Sequence, residues 1–121
     1  MKVEQVDFIT IPTRDVKRSV EFYRDVLGIP ESKYKGAEAE TPNVTLSFWN
    51  PEEDGEEFQP NVAGFALRVA DVAEARRELE AKNVQFFGDT VDTTVCHMGF
   101  FRDPDGNTVI LHKRYAPRVP R

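Results

Sequence analysis

Phe8-Ile9-Thr10-Ile11-Pro12-Thr13-Arg14-Asp15-Val16 is answered, 56 residues later, by Gly64-Phe65-Ala66-Leu67-Arg68-Val69-Ala70-Asp71-Val72. The first begins as a run rich in β-branched and aromatic residues, the pattern of a strand, the second reads as a strand again, and each leads to an aspartate placed to cap a helix. After Asp15, the residues Val16, Val20, Tyr23 and Leu27 recur at helical spacing, and Gly28 supplies a left-handed stop. After Asp71, Glu74 completes a capping-box pattern, Val72, Ala75 and Leu79 face one way, and Asn83 takes the role of Gly28. The spacing predicts helices near 15–27 and 71–82.

Working outward, Val3–Ile11 and Val62–Val69 read as the opening strands of two modules. Residues 31–50 read as two or three short strands, clearest in the alternation Val44–Trp49. Gln85–Asp89, Val95–Arg102 and Asn107–Lys113 supply the second set, with Asp103-Pro104-Asp105-Gly106 as a turn. The expectation is an α+β chain of two βαβββ modules, about 3–50 and 62–113, joined by an acidic linker at 51–61 and ending in a basic tail at 114–121. Neither module buries its sheet alone, so the modules are expected to make one curved, incompletely closed, barrel-like sheet of eight strands with the helices outside.

At 121 residues this is one domain, 1–121, able to close a core without staples. Hydrophobic residues make up 40% and charged residues 31%, a globular balance. The net charge of −5 opposes a phosphate-coated partner, so nucleic acid is not expected. No apolar run approaches the ~18 residues of a membrane span, and the residues after Met1 form no apolar signal core, which makes a cytoplasmic location the expectation. The single cysteine, Cys96, excludes an intrachain disulfide. Exposed edge strands predict a homodimer. The tail, with Pro117 and Pro120, is expected to be frayed or to reach across a partner subunit.

The run Phe8–Asp15 leading to Val20-Glu21-Phe22-Tyr23-Arg24-Asp25-Val26-Leu27-Gly28, together with Phe101-Arg102-Asp103-Pro104-Asp105-Gly106-Asn107, resembles the vicinal oxygen chelate superfamily over residues 3–113. That group includes glyoxalase I, extradiol dioxygenases, fosfomycin-resistance transferases and bleomycin-resistance proteins. The resemblance implies, for its metal-dependent members, a His on the first strand and a Glu on the last strand of each half. The matching positions here are Phe8 and Gly64 for the histidines, Ile110 for one glutamate, and Thr45 or Ser47 for the other. No metal or other cofactor is therefore expected at those positions.

Strand parity places Phe8 with Thr10, Thr45 with Ser47 and Trp49, and Thr108 with Ile110 and His112. An apolar and aromatic pocket with a few hydroxyls suits a small, partly aromatic ligand; packing as plain core is the competing reading for Phe8, Ile110 and Trp49. If Asp103–Gly106 is a four-residue loop, Arg102 pairs with Asn107, and His97 then faces His112 across the ladder. The ligand-binding set is accordingly Phe8, Thr45, Ser47, Trp49, His97, Thr108, Ile110 and His112, with His97 and His112 as the catalytic candidates. Cys96, out of phase with His97, is expected to face the helices. Two functions follow. One is a metal-free binder of the bleomycin-resistance kind. The other is a lyase, isomerase or dioxygenase-like enzyme using the two histidines as acid and base, or as ligands of a relocated divalent metal with Glu38, Glu40 or Asp92.

Overall fold

The structure is a computed structural model and describes residues 1–33 and 36–119. Pro120 and Arg121 of the basic tail, and Tyr34 and Lys35 in the 31–50 segment, lie outside the described residues. The chain forms two compact units, Met1–Asn61 and Val62–Arg121.

In the first unit, strand β1 (Phe8–Pro12) leads into α1 (Val16–Glu21), which widens into a π-helical turn over Phe22–Val26. Asp15 caps α1 by accepting from the Arg18 N–H. Strands β2 (Glu38–Glu40) and β3 (Thr45–Trp49) follow, then a 3-10 turn at Pro51–Asp54 inside the acidic linker. The sheet order is β1-β3-β2, with β1 parallel and β2 antiparallel to β3. Ile11, Leu46, Phe48 and Ala39 are buried on the face that meets Tyr23, whose ring lies 4.9 Å from that of Phe48. Behind them the Ser19 hydroxyl donates to Thr13 Oγ1 at 2.7 Å, satisfying two buried polar groups at once.

The second unit repeats this plan. Strand β4 (Phe65–Arg68) leads to α2 (Val72–Ala81), capped by Asp71 through the Glu74 N–H, and Asn83 takes the left-handed conformation at φ 67°. Strands β5 (Val91–Asp92), β6 (Cys96–Arg102) and β7 (Thr108–Arg114) complete a sheet of order β4-β7-β6-β5. β4 runs parallel to β7 and the other pairs are antiparallel. Gly99 marks the side on which α2 packs, because a Cβ built there falls 3.5 Å from Val72 Cγ1. Phe101, Val109 and Leu111, in register with it, form the core.

Three expectations are corrected. The described residues hold seven named strands in two sheets, not eight in one. Gln85–Asp89 is no strand: only Phe86 bridges to Phe101, and the edge strand falls at Val91–Asp92. β1 starts at Phe8, not Val3, since Val3 and Val6 are exposed and find no sheet partner in register.

Gly64 is a structural requirement. It sits at φ +84°, and an added Cβ would lie 2.7 Å from the Thr108 carbonyl oxygen. Gly88, at φ +70°, has nothing within 4 Å of that position. Gly64→Ala should therefore lower stability by about 2–4 kcal/mol, combining backbone strain with a backbone clash, while Gly88→Ala should lose only about 1 kcal/mol. Equal losses in urea titrations of the two variants would contradict the close approach.

Candidate functional site

The turn after β6 decides which side chains share a face. Asp103, only 5% exposed, accepts from the backbone N–H groups of Asp105 at 2.9 Å and Asn107 at 3.0 Å through Oδ1. Its Oδ2 accepts from the Asn107 side-chain amide at 2.9 Å. These bonds draw Asn107 into the loop, whose neck closes between the Asp103 N–H and the Asn107 carbonyl. Five residues thus separate the strands, and Arg102 pairs with Thr108.

The pairing expected for the histidines is overturned as a result. Met98 opposes His112, and His97 opposes Lys113. His97 lies on the α2 side of the sheet and His112 on the other, so the two cannot share a proton or a metal. Cys96 is corrected in the same way: it shares its face with Met98 and His112, not with α2, and its thiol lies 3.2 Å from Thr93 Oγ1.

Two strips result, one in each unit, both on the sheet face opposite the helix. In the first unit, Phe8 stands beside Thr45, Thr10 beside Ser47, and Trp49 at the end of the strip. Phe8 is 57% exposed and Trp49 39%. β2 adds Glu38 next to Ser47 and Glu40 next to Thr45. The Thr45 hydroxyl donates to Glu40 at 2.7 Å, and the Trp49 indole N–H donates to Asp54 at 2.6 Å. In the second unit, Ala66 stands beside Ile110 and Arg68 beside His112, while β6 adds Phe100 opposite Ile110 and Met98 opposite His112. Phe87 stacks near Phe100, with ring centroids 5.9 Å apart, and carries the Arg102 guanidinium over its ring at 4.5 Å. Thr108 is buried at 4%, and its hydroxyl has no hydrogen-bond partner among the described residues.

Of the eight expected site residues, Phe8, Thr45, Ser47 and Trp49 are brought together in one strip, Ile110 and His112 in the other with Thr108 beneath, and His97 is separated from all of them. Arg68, Met98, Phe100 and Arg102 were not anticipated. The signal for Met98, Phe100 and Arg102 lay in the length of the Asp103 loop, because a one-residue change in register exchanges the two faces of β6.

The positions that hold metal in metal-dependent relatives do not fit an ion. Thr10 and Ala66 are equivalent in the repeat, and they neighbour Ser47 and Ile110, so Ser47 is the counterpart of Ile110. Phe8, Gly64, Ser47 and Ile110 then offer one neutral hydroxyl, and Gly64 has no room for a side chain. Among the described residues, no three His, Cys, Asp or Glu side chains gather as a metal site.

His97 belongs to a separate cluster. Its Nε2 lies 3.4 Å from Asp92 Oδ2, its ring 4.9 Å from that of Tyr115, and the Tyr115 hydroxyl donates to Asp92 Oδ1 at 2.7 Å. The chain after β7 is clasped there: Tyr115 and Ala116 donate their N–H groups to the Val95 carbonyl, and Arg114 donates to the carbonyls of Ala116 and Pro117. The Tyr115 hydrogen bond, then the Thr94 N–H and the nearby His97, lower the Asp92 pKa, and the bond to Asp92 raises that of Tyr115. Asp92 therefore stabilises the clasp above the ordinary carboxylate range, an effect lost as pH falls through its lowered value. Tyr115 contributes below its ordinary value of 10.0 and is lost as pH rises through its raised value. In an NMR titration, Tyr115→Phe should move the Asp92 midpoint upward; an unchanged midpoint would remove the phenol as the main cause.

The sequence matches the family model described as Glyoxalase/Bleomycin resistance protein/Dioxygenase superfamily over residues 5–111. No curated protein matches it. Among solved structures, TnmS3, an antibiotic binding protein from Streptomyces sp. CB03234, aligns with TM-score 0.78 at 20% identity, covering 95% of this chain and 99% of its own. A superfamily member from Sphaerobacter thermophilus aligns with TM-score 0.75 at 23% identity, covering 91% and 97%. Lactoylglutathione lyase from Agrobacterium tumefaciens gives 0.75 at 19%, covering 92% and 94%. At these identities the solved structures establish the shared fold, in which a binding protein and a lyase are both represented. With the family model matched across nearly the whole chain, 5–111, and a strand–helix–strands plan in both units, the protein belongs to the glyoxalase/bleomycin resistance protein/dioxygenase superfamily.

Proposed function

We propose that this protein binds a small, partly apolar or aromatic molecule on the sheet face opposite α2, without a metal at the family's positions. The observation that carries this reading is the strip of Met98, Phe100 and Ile110, all half-buried, with Ile110 standing where a metal-dependent relative has its carboxylate. Apolar walls with a few polar groups are the usual make-up of a small-molecule site. The likeness to a protein described as antibiotic-binding supports a binder. No helix among the described residues is long and apolar enough to cross a membrane. A cytoplasmic homodimer is part of the proposal; the short edge strands β2 and β5 are the surfaces a second copy would protect.

A second reading, an enzyme of lyase, isomerase or dioxygenase type, now rests on His97 alone, because Asp92 and Tyr115 hold its ring while His112 lies on the other face.

Calorimetry with 2-naphthamide, a neutral aromatic probe, tests the binder. Phe100→Ala and Ile110→Ala should each weaken binding by about 1–2 kcal/mol, the value of a partly buried apolar side chain, with the far-UV spectrum unchanged. Purified protein carrying one divalent ion per chain that is lost in His112→Ala would overturn this reading.

A further inference from the structure

The chain carries 21 acidic against 16 basic residues, yet one surface inverts that balance. On the sheet face opposite α2, the second unit presents Ala66 and Arg68 from β4, Val91 from β5, and Cys96, Met98, Phe100 and Arg102 from β6. β7 adds Thr108, Ile110, His112 and Arg114. No Asp or Glu is among them. The first unit shows that this is a property of the second unit and not of the fold. In the repeat, Glu40 beside Thr45 becomes Arg102 beside Thr108, Glu38 beside Ser47 becomes Phe100 beside Ile110, and Pro12 beside Trp49 becomes Arg68 beside His112.

The three arginines of this face are not equivalent. Arg114 is spent on the carbonyls of Ala116 and Pro117, and Arg102 lies over the Phe87 ring. Arg68 is exposed, has no hydrogen-bond or ion-pair partner among the described residues, and stands in register beside His112 at the end of the apolar strip. A planar guanidinium with five donors matches a carboxylate in a two-pronged hydrogen bond. An imidazole beside it adds a further donor, and the absence of any carboxylate on the same face removes the competitor for both.

We infer that the ligand of the second unit is an organic acid, its carboxylate held by Arg68 with His112 and its apolar or aromatic body lying over Ile110, Met98 and Phe100. This deepens the binding reading above and rests on it. A neutral ligand makes no use of the Arg68 charge, whereas an acid uses both halves of the surface.

The experiment compares 2-naphthoate with 2-naphthamide, which share a ring and differ in the charge of the head group, against the full-length protein. Naphthoate should bind at least about tenfold more tightly than naphthamide, and Arg68→Gln should abolish that difference. Arg77→Gln, which removes the same charge from the exposed surface of α2, should preserve the difference. Equal binding of the two probes, or a preference that survives Arg68→Gln, overturns the acid inference and leaves the apolar site standing. Failure of both probes to bind overturns the site itself.

Discussion

The buried carboxylate of Asp103 is the constraint on which the chemistry of the second unit depends. A carboxyl group taken out of water must be met by hydrogen-bond partners, and here the Asp105 and Asn107 backbone and the Asn107 amide supply them. Meeting that need holds Asn107 in the loop and starts the ladder at Arg102–Thr108. From that pair the two-residue period of the strand leaves no further choice. Phe101 and Gly99 go to α2 with Val109 and Leu111; Phe100 and Met98 go to the other face with Ile110 and His112. With β7 held in place, a loop shorter by one residue would send the phenyl ring of Phe101, buried on the α2 side, to the face of Ile110 and His112.

The two units show how one backbone plan carries different chemistry. The faces that meet the helices are alike in kind: Ile11, Leu46 and Phe48 in the first, Val109, Leu111 and Phe101 in the second, all buried. Removing such surface from water is worth about 25 cal/mol per Å², so substitution there is restricted to apolar residues of similar size. The opposite faces carry no such restriction. One has Glu38 and Glu40 with Thr45, Ser47 and Trp49, and the other Phe100 and Arg102 with Thr108, Ile110 and His112. In both units, then, the face that meets the helix is apolar and buried, while the residues of the opposite face differ in charge and polarity.

The sequence by itself determined the elements and their order. Asp15 and Asp71 cap helices because a short carboxylate satisfies a free N–H wherever a helix begins, and Gly28 and Asn83 stop them because each accepts the left-handed conformation. It determined also that the side chains at three positions to which the resemblance assigns metal donors, Phe8, Gly64 and Ile110, carry no donor atom. Equally legible was the grouping of Thr45 with Ser47 and Trp49, and of Phe8 with Thr10, because parity along one strand is local. Tertiary structure alone decided what depends on the count between strands. The expected His97–His112 pair failed by one residue, for the hydrogen bonds of the Asp103 carboxylate set the loop length and residue types alone do not. It also decided that Asp92 and Tyr115, 23 residues apart in sequence, meet on His97, and that Arg68 stands beside His112. Contacts between distant segments follow from the packing of whole elements, and no local pattern encodes them.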